Sequence, residues 1–319
     1  MADKVDQKVI DEFRRSSVIL DALTFDDSVA PGTGGSTMTY GYVQLQTPAT
    51  AARRELNAEY VAQEATRIKK TADLDIFGGA FNIDRVIQNT SGAVDETAFQ
   101  IAEKVKAASN LFNYVAINGE VKPAEGSTTP GFVEAKFDGL RKLVAGTSTD
   151  VTPGTAIDIS TAAKAKTAAD ALLMQVYDWL ATFAEKPDAL LMNGKMLSKM
   201  KYIARISGYY SQSEDAFGRS VDTFDGIAMI DAGKFWNGSA EVDVVETDGS
   251  AGTSSIIGVK FGLDAFHGIS PLQASAIVNT YLPDLNAPGA VKTGEAELVA
   301  GVVLKNTKKA GILNNIKLV

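Results

Sequence analysis

"DALLMNGKMLSKMKYIARISG", residues 188–208, changes its period partway along. The opening "DALLMN" is short and almost wholly apolar, the pattern of a buried strand. Asn193 then stands where a side-chain oxygen can accept the free N–H groups of a following helix. That helix, "GKMLSKMKYIARI", carries apolar residues at helical spacing until Gly208 stops it. Strand, cap and helix in immediate succession give the middle of the chain an α/β texture.

The next stretch, "SEDAFGRSVDTFDGIAMID" (213–231), holds the carboxylates Glu214, Asp215, Asp222, Asp225 and Asp231. A two-carboxylate hydrolase or a metal centre needs acids converging from separate elements, with their pKa values pushed apart. Here Glu214 and Asp215 follow a serine-rich loop, Asp225-Gly226 is a tight-turn dipeptide, and Asp231 ends a short strand, "GIAMI". Turn and loop chemistry accounts for them better than catalysis. From there the chain alternates turns with "EVDVVET", "SSIIGVKFG", "QASAIVNTYL" and "GEAELVAGVVLKNTKKAGILNNIKLV", so it finishes as sheet.

Upstream lie two long helical patterns. Asp95 opens one in which Ala98, Ile101, Ala102, Val105, Ala108, Phe112 and Val115 recur at steps of three and four, and Asn118-Gly119 ends it. At 1.5 Å per residue this is a rod of roughly 36 Å. The other runs from about 160 to 185, with Leu172, Leu173, Val176, Trp179, Leu180 and Phe183 as its stripe and Pro187 beyond it. "AFNIDRVIQNT" (80–90) reads as a strand leading into the first helix. Near the start, Val5, Val9 and Phe13 suggest a short amphipathic helix, and Pro31 to Gly35 a flexible joint without the G-K-[ST] ending of a phosphate loop.

Residues 37–74 are different in kind. Met38, Tyr40 and Tyr42 alternate along a strand, "PATAARRELNAEY" is charged, and "VAQEATRIKKTADL" returns as a second extended stretch. The pattern is a long hairpin with too little apolar content to form a core, so it needs another subunit to rest on. Arg53, Arg54, Glu55, Glu59, Arg67, Lys69 and Lys70 on it are candidate inter-subunit contacts, as are Glu214, Asp215 and Arg219 in the acidic stretch.

Composition excludes several functions. The 319 residues contain no cysteine, which removes disulfides, thiolate nucleophiles and cysteine zinc sites. His267 is the only histidine, so no two-histidine metal motif can be built, and a serine nucleophile without a G-x-S-x-G elbow has one base at most. The expected role of His267 is a packed one, and no catalytic residue, cofactor or metal is assigned. Thirty-one basic against 39 acidic residues give a net charge of −8, against a surface built to grip nucleic-acid phosphates. A charged N-terminus and the lack of any long apolar run predict a soluble, non-secreted protein, which makes the sequons at Asn89 and Asn237 chance matches.

Taken in order, a loose N-terminal arm, a charged hairpin, "DIFGGAFNIDRVI", a long helix, "FDGLRKLV", "ALLMNGKMLSKMKYIARISGYY", "EDAFGRSVDTFDGIAMID" and a β-rich tail resemble the tailed-bacteriophage major capsid protein family. The resemblance spans nearly the whole chain and implies the α+β Hong Kong ninety-seven fold. It implies an N-arm over 1–35, an E-loop hairpin over 36–76 and a P-domain over 77–131 and 280–319 with a spine helix at about 95–118. An A-domain over 132–279 completes it. The implied function is a non-enzymatic subunit that self-assembles as pentamers and hexamers into the icosahedral head shell of a virion. The shell encloses double-stranded DNA without sequence-specific binding, and it is assembled in the bacterial host cytoplasm with no membrane association. Separate scaffolding, portal and decoration proteins are the further partners implied; with the hairpin beginning within about 40 residues of Met1, the expectation is that scaffolding comes from a separate protein or is not needed. Some members of the family are joined by lysine–asparagine bonds; the tip here, "PATAARRELNA", has no lysine, which predicts a noncovalent shell. The alternatives are an encapsulin-type nanocompartment shell and, more remotely, a carboxylate-dependent hydrolase.

Overall fold

The computed structural model describes residues 18–26, 38–90, 95–121, 132–208, 211–214, 220–271, 278–284 and 286–319. The expected N-terminal helix through Val5, Val9 and Phe13 and the joint at Pro31 to Gly35 lie outside them, as do Asp215 and Arg219.

Two sheets organise the chain. The first has five strands and is built on the long strand Val291–Leu304, which pairs antiparallel with Asp75–Asp84 from Val291↔Asp84 to Ala300↔Asp75. Phe266–Ile269 and Val278–Tyr281 also pair with it, and Phe25–Asp26 lies parallel on the outer side of Phe266–Ile269. Along the first part of the long strand, Lys292, Gly294, Ala296, Leu298 and Ala300 are buried while their neighbours face outward, the period-two signature of a sheet covered on one side. From Gly301 to Leu304 every residue is buried, because the strand there passes beneath the root of the hairpin as well.

The covering element is the spine helix Glu96–Asn118. Asp95 caps it by accepting the N–H groups of Thr97 and Ala98 at 3.0 and 3.2 Å, and Gly119 leaves it in extended backbone. Only its C-terminal half is deeply buried, where Ala108, Phe112, Val115 and Ala116 meet Phe77, Leu298 and Ala300. Two buried asparagines of this half, Asn113 and Asn118, act as cross-ties. Asn113 accepts the Ile19 N–H at 2.9 Å and donates to the Ala232 carbonyl at 3.2 Å, and Asn118 donates to the Val244 carbonyl at 2.8 Å. These two amides are thereby satisfied while they tie the helix to segments far away in sequence, whereas the buried Asn110 Nδ2 has no hydrogen-bond partner among the described residues.

The second sheet has eight strands. Its path runs Ser211–Glu214, Ser220–Phe224, Ile227–Asp231, Ala189–Met192, Thr253–Val259, Ala310–Lys317 and Asp150–Val151, and Ile157–Asp158 also pairs with Ala310–Lys317. Helices Ala162–Leu180 and Gly194–Ile206 bury Leu172, Val176, Trp179, Met196, Met200 and Ile203 against it. Asn193 caps the second helix as its position predicted, accepting the Met196 N–H at 2.8 Å.

Four expectations need correction. Residues 80–90 are not one strand: pairing with the long strand ends at Asp84, whose carboxylate accepts the Val86 N–H at 2.8 Å and starts the helix Arg85–Thr90. The helix expected to reach 185 ends at Leu180, and the turn beyond it is held by the Ala184 N–H on the Lys308 carbonyl at 3.0 Å. "EVDVVET" supplies only the short strand Glu241–Asp243. The tail also divides between the sheets, since Val291–Leu304 belongs to the first and Ala310–Lys317 to the second.

Candidate assembly surface

The hairpin consists of Thr39–Thr47 paired antiparallel with Thr66–Asp73, and no other strand joins it among the described residues. Its root is held firmly. Tyr40 and Tyr42 are buried against Leu74, Ile269 and Val303, and the Tyr40 hydroxyl donates to Asp26 at 3.0 Å. Gln44 donates to the carbonyls of Leu304 and Lys305 at 3.1 and 2.7 Å, and the Lys305 ammonium sits 5.6 Å from the Tyr40 ring centroid. Beyond the root the packing stops. Every residue from 45 to 69 is exposed, and residues 48–65 form a tip without strand.

Pairing register decides which contacts share a side. Val43 lies opposite Lys69 and Leu45 opposite Arg67, so these four make one apolar and basic face. Lys70 lies opposite Tyr42, on the other face with Gln44 and Ile68. At the tip, Leu56 and Val61 are 92% and 82% exposed, far beyond what a large aliphatic side chain shows when its own subunit covers it. Arg54 donates to the Ala58 carbonyl at 3.2 Å and lies 5.6 Å from the Tyr60 ring centroid, which gives the tip a local fold. Among the described residues, Arg53, Glu55, Glu59, Arg67, Lys69 and Lys70 make no ion pair.

The acidic stretch is a meander on the second sheet. Ser211–Glu214, Ser220–Phe224 and Ile227–Asp231 pair in succession, and the last turn is Asp225-Gly226 with φ of 50° and 75°, the tight hairpin geometry that an Asp-Gly pair favours. Its acids have separate partners. Asp225 pairs with Lys186 at 2.8 Å, Asp222 with Lys201, and Asp231 accepts the Gly233 N–H at 2.9 Å. No group of three or more acidic or histidine side chains that could hold a metal occurs among the described residues. Glu214 lies on the edge strand of the meander.

His267 is fully buried beside the hairpin root, its Nδ1 3.4 Å from the Ala265 carbonyl and its ring edge-on to Tyr40. Burial, aided by Lys305, holds the imidazole below its ordinary value of 6.5, outweighing Asp26 and Asp264. The neutral ring is thus favoured in the fold, and the unfolded chain takes up the proton first as pH drops. The stabilisation is complete above about pH 6.5 and is lost as pH falls through the depressed value. The melting temperature of the subunit should fall between about pH 7 and pH 5, and His267→Leu should flatten that slope; an unchanged slope in the variant would refute the assignment.

Sequence reasoning missed the polar wall of a cleft of about 670 Å³ lined by Arg141, Glu246, Asp248, Ser254 and Asn314. Tyr114 on the spine helix donates to Glu246, and its phenol is pushed up by burial and by that bond, so it stays a donor. Arg141 donates to Asn118 Oδ1 at 2.9 Å. These are ties between elements distant in sequence, and no local pattern signals them.

A family model described as SU10 major capsid protein matches residues 14–228. No curated protein sequence matches the chain. Among solved structures, the chain is similar to the holo-SrpI encapsulin complex from Synechococcus elongatus PCC 7942, with TM-score 0.67 and 13% identity over 99% of this chain and 93% of that one. It is similar to the capsid of a native GTA particle at TM-score 0.61 and 13% identity, covering 99% and 95% of the two chains. The capsid of Myoviridae phage XM1 gives TM-score 0.61 and 11% identity over 98% and 97%. At such identities the overlap establishes a shared α+β shell fold and nothing finer.

Proposed function

The chain belongs to the SU10 major capsid protein family, a family of capsid-shell subunits, and from that premise we propose that it builds pentamers and hexamers of an icosahedral head that encloses double-stranded DNA. The observation that carries this reading is the hairpin, anchored at its root yet exposed throughout 45–69, with apolar side chains that its own subunit leaves uncovered. In this proposal the hairpin is the E-loop and rests on a second copy, with Arg53, Arg54, Glu55, Glu59, Arg67, Lys69 and Lys70 as its polar contacts. Residues 1–35 form the N-arm. The P-domain comprises the spine helix with the strands Asp75–Asp84, Phe266–Ile269, Val278–Tyr281 and Val291–Leu304, and the A-domain comprises 132–259 together with 310–319. Glu214, Asp215 and Arg219 are contacts near a symmetry axis.

Repeated heterologous contacts that close on rotation axes end growth at a finite size, so modest contacts suffice when summed over a shell. A subunit carrying −8 supplies an inner wall that does not clamp the polyanion it contains. Assembly in the host cytoplasm, alongside separate scaffolding, portal and decoration proteins, belongs to the same proposal. The reading as an encapsulin-type shell keeps one observation in its favour, the overlap with the SrpI encapsulin fold.

Expression of the chain, sedimentation and negative-stain imaging test the proposal. The expected result is uniform round particles or five- and sixfold capsomers that run as a single monomer band on a denaturing gel. A small species that assembles under no condition would refute it. Particles recovered from the native source should contain nuclease-protected DNA, whereas a folded protein cargo in its place would favour the encapsulin reading.

A further inference from the structure

The sequence holds three Asn-Gly pairs, at 118–119, 193–194 and 237–238, and the fold treats them in opposite ways. Asn118 is buried, its Nδ2 on the Val244 carbonyl and its Oδ1 on Arg141, and the Gly119 N–H is bonded to the Val115 carbonyl. Asn193 is buried too, with Nδ2 shared among the Val245 carbonyl, Thr247 and Ser254 and with Oδ1 capping a helix. Asn237 stands exposed in the turn joining Lys234–Trp236 to Glu241–Asp243.

At that turn the asparagine carbonyl is surrounded by donors. Oδ1 accepts the N–H groups of Ser239 and Ala240 at 2.9 and 2.8 Å, with the Ser239 hydroxyl at 3.4 Å. The adjoining Gly238 has φ of 98°, open space where a side chain would be, and an N–H with no hydrogen bond among the described residues. A free nucleophilic nitrogen thus adjoins a carbonyl whose oxygen is already held by two backbone donors. Donors placed in this way stabilise the oxyanion that forms when a nucleophile adds to a carbonyl carbon.

We propose that Asn237 is a self-modification site, at which the turn converts the side-chain amide to an acid with water as the only co-reactant. Hydroxide takes the proton from the Gly238 nitrogen, which attacks Cγ of Asn237 and forms a C–N bond. The negative charge passes onto Oδ1, between the Ser239 and Ala240 N–H groups. Collapse of this intermediate expels the side-chain nitrogen, protonated, as ammonia and leaves a five-membered imide. Water then opens the imide at either carbonyl, to aspartate or to an isoaspartyl link, and no atom changes oxidation state. Each event adds one negative charge to a subunit whose formal charge is −8, beside the acidic strand Glu241–Asp243.

The three pairs serve as one another's controls. The full-length chain is incubated at mildly alkaline pH, native and in urea, and each Asn-Gly peptide is followed by mass spectrometry. In the native chain Asn237 should convert at least roughly tenfold faster than Asn118 or Asn193, since each ~1.4 kcal/mol of local opening needed to free those buried pairs slows them tenfold. In urea the three rates should converge, and the native Asn237 rate should exceed the urea rate. Heavy-oxygen water should leave one labelled oxygen at residue 237, and Asn237→Gln should abolish the mass gain there. Equal native rates at the three sites, a native Asn237 slower than the unfolded chain, or product without the label would each overturn the proposal.

Discussion

Replacing residues 48–65 with a short Gly-Ser turn should give a subunit that folds as before and assembles into no shell. Every residue removed is exposed, so the core loses almost nothing. The strands that remain are paired up to Thr47↔Thr66, where a tight turn can close them. Tyr40, Tyr42 and Gln44 still fix the root. What disappears is the segment bearing Leu56, Tyr60 and Val61, the largest uncovered apolar side chains of the tip. Association depends on a few such anchors, with the surrounding charges adding orientation more than affinity. Circular dichroism and the thermal midpoint should stay close to those of the parent, while sedimentation shows subunits or small oligomers in place of particles. Shells of normal size from this variant would remove the hairpin from any account of assembly.

The second large effect concerns the subunit itself. Phe112 on the spine helix is fully buried, with the rings of Phe77, Phe25 and Phe137 at centroid distances of 5.5, 6.5 and 6.5 Å. Phe77 belongs to the strand Asp75–Asp84, Phe25 to the short strand Phe25–Asp26, and Phe137 to the segment after the helix, so one ring holds three separate parts of the chain. Phe112→Ala removes those contacts and leaves a cavity, at a cost of about 3–5 kcal/mol. That is a large share of the roughly 5–15 kcal/mol by which a domain is stable. Urea unfolding should be followed in the tip-deleted background, because assembly would otherwise add stability by mass action. A loss of under about 1 kcal/mol, the range of surface substitutions, would show that the aromatic cluster is not the keystone of this sheet.

Much of this architecture could be read from local chemistry. Asp95 and Gly119 bound the spine helix, Asn193 caps its helix, and Asp225-Gly226 turns a hairpin, each because one residue type meets a backbone need in its own neighbourhood. Where the reading failed, the deciding partner lay far away. Val86 and Ile87 look like strand residues, but the strand beside them runs out at Asp84. The two β-rich segments of the tail look alike, and only their partners, Asp75–Asp84 for one and Thr253–Val259 for the other, assign them to different sheets. The hairpin candidates were visible as a charged stretch poor in apolar residues, yet their division into two faces needed the register Val43↔Lys69 and Leu45↔Arg67. Asn237 was visible only as a sequon; its carbonyl environment is a property of the folded turn.

The strand Ala310–Lys317 lies inside the eight-stranded sheet, between Thr253–Val259 on one side and Asp150–Val151 with Ile157–Asp158 on the other. It leaves the ribosome after every strand it joins. Until it arrives, the translated part of the chain carries an unpaired edge at Thr253–Val259, whose residues from Ser254 onward end up buried. Such an edge accepts any matching strand, including the same segment of a neighbouring nascent chain. For a protein translated in many copies at once, the interval between residues 259 and 310 is therefore the period of greatest exposure to misassembly, and slowing elongation there should lower the yield of soluble subunit.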